Sequence, residues 1–134
     1  MKTHKRQWCG ISLKQPWANL VANGQKTIET RKWKTPYRGD LVICSSKNPD
    51  IEPAGYALCI VELYHIEPMQ KKHEAKACIK VYPGAYSWFL RNIRPIVPPF
   101  PIKGSLGIFK LSVGPAKKRV LASFAKKISG TDKV

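Results

Sequence analysis

The chain has 134 residues, 43% of them hydrophobic, and its 24 Lys and Arg against 8 Asp and Glu leave a formal charge of +16. That length and apolar content are enough for one domain with its own core, and no apolar run is long enough for a membrane-spanning helix. The charge excess makes a polyanion the expected partner, RNA or another nucleic acid first, without specifying which sequence it prefers.

Cys9, Cys44, Cys59 and Cys78 form no Cys-x-x-Cys pair, and His4, His65 and His73 are scattered, so neither a metal site nor a cofactor is expected. The basic N-terminus has no apolar segment behind it, and a soluble, cytoplasmic protein is expected.

In chain order, residues 1–7 read as a basic arm and residues 8–13 as a first strand. Lys14-Gln15-Pro16-Trp17 opens a helix in which Trp17, Leu20 and Val21 fall at i, i+3 and i+4. Asn23-Gly24 closes that helix, with glycine in the left-handed cap. Its free N–H groups and Lys14 offer an anion site, an ordinary capped helix being the alternative.

Residues 26–33 read as the second strand, with Thr27, Glu29, Arg31 and Trp33 on one face at period two. Lys26 faces away unless the turn after Gly24 runs on through it. Glu29 is the sole carboxylate among the first 39 residues, which hold nine Lys or Arg. A lone acid in that setting marks either a site or an ion pair that holds a strand end.

A turn dense in breakers, Thr35 to Gly39, leads to a buried third strand over residues 40–45. A loop carrying Lys47 follows, and then the longest strand pattern, 56–66, apolar on both faces in its first half. Residues 67–82 are charged and weakly periodic, and are expected as a mobile excursion with one helical turn. Residues 86–93 alternate as a fifth strand. Pro95, Pro98, Pro99 and Pro101 then predict an extended connection outside any ladder, before a last strand over 106–111. In residues 114–134, Val120, Leu121, Phe124 and Ile128 repeat at helical spacing among lysines, which predicts a basic amphipathic helix.

Several features coincide along this path: Ile11-Ser12-Leu13-Lys14-Gln15-Pro16-Trp17, then Gly24-x-Lys26-Thr27-x-Glu29-x-Arg31, Trp33, and Tyr37-Arg38-Gly39 before an apolar strand. Together they resemble the ASCH domain family over about residues 8–113, with the motif falling on Gly24, Lys26, Glu29 and Arg31. The resemblance implies an α+β fold: a small PUA-like mixed β-barrel of about six strands, here with a short Pro-started helix and the basic C-terminal helix. It also implies RNA binding and a cleft beside the motif that admits nucleic acid or a modified nucleoside. Some relatives hydrolyse the acetyl amide of 4-acetylcytidine, and another is a ribonuclease. Where the amidohydrolases carry a nucleophilic threonine this chain has Glu29, so that activity does not transfer directly.

Two readings lead, ahead of a third in which the Pro-rich connection and the basic helix make the domain a protein-interaction adaptor. In the first the domain binds nucleic acid: Lys14, Lys26, Arg31, Arg38 and Lys47 neutralise phosphate, Gln15 and Thr27 belong to the site, and Trp17, Trp33 or Tyr37 stack on a base. Trp33 and Tyr37, beside the turn, are the better platforms, since Trp17 and Trp88 read more readily as core. In the second the domain is an enzyme, a nucleoside amidohydrolase or ribonuclease, in which Lys26 and Glu29 supply acid and base.

Overall fold

The computed structural model describes residues 6–113. The expected C-terminal helix over 114–134 and the first five residues of the basic arm lie outside the described residues. Six strands and two short helices follow in order: β1 (Arg6–Leu13), α1 (Trp17–Ala22), β2 (Ile28–Arg31), β3 (Gly39–Ser45), β4 (Tyr56–Pro68), a 3-10 turn (Lys71–His73) leading into α2 (Glu74–Ala77), β5 (Tyr86–Pro101) and β6 (Ile108–Val113). β1 begins before Trp8, because Arg6 and Gln7 pair with Val113 and Ser112.

One six-stranded sheet has the order β2-β5-β4-β3-β1-β6. β1 and β3 run parallel, which requires the crossover that carries α1 and β2, and the other neighbours are antiparallel. The sheet curls into a half-barrel. Register shifts at Ala57/Cys59, Ile60/Glu62 and Leu63/His65 bend the long β4–β5 pair, as bulges do by adding residues to one strand. The curl brings β2, an edge strand, back to the end of β1, where Arg31 Nη2 donates to the Ser12 carbonyl at 2.9 Å.

Apolar side chains fill both faces of the middle strands. Leu41 and Ile43 join Ile11, Leu13, Val61, Leu63 and Trp88 inside the curl, with Ala18 and Val21 of α1 closing over them. Val42 and Cys44 point the other way, into a second cluster with Trp8, Ile60, Ile96, Phe100 and Phe109. This two-sided burial is why β3 reads as a continuous apolar run instead of an alternating one.

Two expectations change. The proline stretch is not outside the ladder: Pro95 pairs with Cys59, Phe100 with Ala57 and Pro101 with Tyr56. β2 covers β5 from Tyr86 to Phe89, and the Leu90 N–H still donates to Thr27 O; past Leu90, among the described residues, β5 has one unpaired side, where proline's missing N–H costs no ladder bond. Two steps along β4 also face five along β5, which lets Val97, Pro98 and Pro99 bulge out. The excursion after β4 is packed: Met69, Ala77 and Ala85 bury against Ile28 of β2. His73 anchors it, with Nδ1 accepting from the Gln70 N–H at 3.0 Å and Nε2 lying 3.1 Å from Glu67 Oε2.

Candidate functional site

The end of α1 sets the site. Gly24 takes φ +88 and its N–H donates to the Val21 carbonyl, after which the Lys26 N–H turns back to Leu20 O at 2.9 Å. The chain is therefore still turning at Lys26, and extended structure begins at Ile28. The turn carries Lys26 to the same side as Glu29, although strict alternation from residue 26 would oppose them. Nζ of Lys26 stands 3.5 Å from Glu29 Oε1 and donates to the Ala77 carbonyl of α2. On the other side, Arg31 Nε donates to Glu29 Oε2 at 2.9 Å.

Lys26 is 1% exposed and Glu29 8%. Burial pushes the Lys26 pKa below its ordinary value, and the neighbouring Glu29 carboxylate offsets only part of that shift. Glu29 is thus held between two cations, each fastened in turn to a main-chain carbonyl. Main-chain bonds continue the frame: the Thr27 N–H donates to Lys76 O, and Thr27 O accepts from the Leu90 N–H.

Above this pair opens a cleft of about 790 Å3. Ser12, Lys14 and Trp17 form one wall, and Glu29 to Lys32 another. The end of β3 and the loop after it supply Ser45 to Asn48, and the connection from β5 to β6 supplies Ile102 to Gly107. Gln15 lies beneath: its Nε2 donates to Ser45 Oγ at 2.9 Å and to Asn19 Oδ1 at 3.1 Å, tying the start of α1 to the end of β3. Lys14, Lys26, Arg31, Lys32, Lys47 and Lys103 line the cleft, and Glu29 is the one carboxylate that does so among the described residues. Such a cleft attracts anions strongly.

Of the residues singled out in the sequence, Lys14, Trp17, Lys26, Glu29, Arg31 and Lys47 therefore meet around one cavity. Four others do not line it, although Trp33 is exposed and its ring lies beside the cleft-lining Gly107. Thr27 borders a separate cavity of about 210 Å3 with Val21, Leu90 and Ile93. Trp33 packs edge-on against Trp88, ring centres 4.8 Å apart, and its carbonyl accepts from Trp88 Nε1. Tyr37 Oη donates to the Asp40 carbonyl, and Arg38 donates to the carbonyls of Thr35 and Tyr37, so both fasten their own turn. Trp17, half-buried on α1, is the tryptophan that faces the cleft. Sequence reasoning missed Ser12, Tyr82, Lys103 and Leu106. Leu106 was expected as the first residue of the last strand, which begins instead at Ile108, and nothing local placed residues 102–107 at the cleft. Tyr82 carried no cue, and its Oη donates to Thr30 Oγ1 at 3.0 Å.

Outside the cleft, Ser87 Oγ lies 2.8 Å from His73 Nδ1, whose ring reaches Glu67. That trio has the order of a nucleophile, base and acid, but Ser87 is fully buried, so it serves as a latch for the excursion. Among the described residues no group of three His, Cys, Asp or Glu is placed to hold a metal ion, and no helix is long and apolar enough to cross a membrane. The four cysteines are free thiols.

A family model described as the ASCH domain matches residues 11–100. Activating signal cointegrator 1 of Homo sapiens and that of Mus musculus are each 30% identical over 129 aligned positions, covering 78% of this chain and 22% of theirs. The chain thus spans about a fifth of the length of these curated relatives. The crystal structure of ASCH from Zymomonas mobilis matches with a TM-score of 0.61 at 16% identity, covering 86% of this chain and 93% of that one. Two mutant structures of the same bacterial protein match with the same score. At that identity the likeness concerns the fold alone.

Proposed function

The chain belongs to the ASCH domain family, and from that premise we propose that its cleft binds nucleic acid, RNA foremost, by taking in a single base or nucleotide. The observation that carries this reading is the gathering of six cations and Trp17 around one cavity with a single carboxylate, itself neutralised by Lys26 and Arg31. Lys14, Lys47 and Lys103 hold phosphate, and the ring of Trp17 stacks on a base. Gln15 and the Glu29–Arg31 pair keep the walls in place before the ligand arrives, so little ordering is needed on binding. The curated relatives are named as signal cointegrators, which suits a module that works at nucleic acid. Such a partner places the protein inside the cell, where free thiols persist reduced.

A second reading, hydrolysis of a modified nucleoside amide or of RNA, is favoured by one observation: Lys26, with its lowered pKa, lies against Glu29 at the cleft. Binding ranks first because both Glu29 oxygens already face cations, and Lys26 is bonded to the Ala77 carbonyl. Incubation of the protein with total RNA and with 4-acetylcytidine, following retention and product by mass spectrometry, separates the two. Salt-sensitive retention without product supports binding. Product that disappears in Lys26→Ala supports hydrolysis, and neither retention nor product overturns both.

A further inference from the structure

Leu106 is 95% exposed. A lone exposed leucine is ordinary on a protein surface, but this one stands on the wall of the cleft, on the same connection as Lys103 and Ser105. The connection is anchored on both sides of it. The Ile102 N–H donates to the Gly55 carbonyl at 2.9 Å. Gly104 packs so closely on β1 that a Cβ there would lie 2.9 Å from Ser12 Oγ. Beyond it, Gly107 takes φ +65 and Ile108 pairs with Ile11 at the start of β6. Leu106 is therefore a bare apolar side chain presented from a fixed segment.

The cleft volume suits a nucleotide-sized group, whereas a paired helix is far too wide to enter. A base from a stem reaches the cleft only by leaving its stack, which is unfavourable unless something fills the gap. Apolar side chains are suited to that task, and Lys103 on the same connection is placed to hold backbone phosphate.

We infer that Leu106 is a wedge that enters the base stack of a structured RNA while the displaced nucleotide turns into the cleft. The preferred ligand is then a stem with a weak or mismatched pair. This rests on the nucleic-acid reading of the cleft, and it adds a step that simple binding of a single strand does not need.

The test uses an RNA hairpin with 2-aminopurine at a mismatched stem position, beside a single strand of the same composition. Wild type binds both and raises the stem fluorescence as the base unstacks. Leu106→Ser, at a side chain that is 95% exposed, weakens binding of the stem about 10-fold more than binding of the single strand, and abolishes the fluorescence rise. Leu106→Met restores both. If Leu106→Ser behaves like wild type on the stem while Trp17→Ala loses the single strand, the wedge is wrong and the cleft reading stands. If wild type binds neither RNA, the cleft reading fails and the wedge with it.

Discussion

Lys26 Nζ lies 3.5 Å from Glu29 Oε1, and both side chains are buried at the base of the cleft. Removing one partner of such a pair strands the other charge, which costs more than the pair itself contributes. Glu29→Gln is expected to destabilise the fold by about 3 kcal/mol or more, read as a lower urea midpoint with unchanged slope. Adding Lys26→Met recovers most of the loss. A single variant with an unshifted midpoint contradicts the pairing.

Trp17 and Trp33 should separate in their effects. Trp17→Ala removes the ring facing the cleft and is expected to weaken binding of single-stranded RNA by ~1–3 kcal/mol. Trp33→Ala leaves that affinity intact but lowers the melting temperature, because its ring packs on Trp88. Fluorescence anisotropy and thermal melts on both variants check the pair of outcomes, and an affinity loss confined to Trp33→Ala would contradict it.

Burial pushes the Cys44 and Cys59 thiols up to about 12 from an ordinary value of 9.0. The unfolded chain releases these protons first, so stability falls as pH rises from about 9 towards 12 and is untouched below that window. Wild type should lose more stability between neutral pH and about pH 11 than a Cys44→Ala, Cys59→Ala double variant does. The comparison cancels the groups the two proteins share. Equal losses in urea titrations at the two pH values would show that the thiols do not contribute.

Much of the fold was legible because it follows local rules. The Pro-started helix, its Asn23-Gly24 cap and the shared face of Glu29 and Arg31 all come from spacing and glycine geometry. Lys26 was undecidable, since its direction depends on where a turn ends, a matter settled by the bond from its N–H to Leu20 O. Trp33, read as the better platform because it neighbours a turn, packs edge-on against Trp88 and stays exposed, while Trp17 lines the cleft. The prolines of β5 misled for a related reason: whether a strand has a free side is a property of the sheet, not of the strand. The far wall, Ile102 to Gly107, is distant in sequence from the motif and meets it through the β1–β6 pairing and the bond from the Ile102 N–H to Gly55 O.

The charge of +16 means that many surfaces of this protein would bind RNA weakly, so affinity by itself does not locate the site. The most direct measurement is therefore a salt titration of single-stranded RNA binding for two variants of equal charge. Lys14→Gln with Lys47→Gln removes two cleft cations, and Lys71→Gln with Lys72→Gln removes two exposed cations of the 3-10 turn outside it. The cleft account predicts that the first pair weakens binding and lowers the slope of log K against log salt by about 1.4, two phosphates at ~0.7 each, while the second leaves both near wild type. Equal losses in the two variants would mean that RNA is held by net charge alone and that the cleft is not its site.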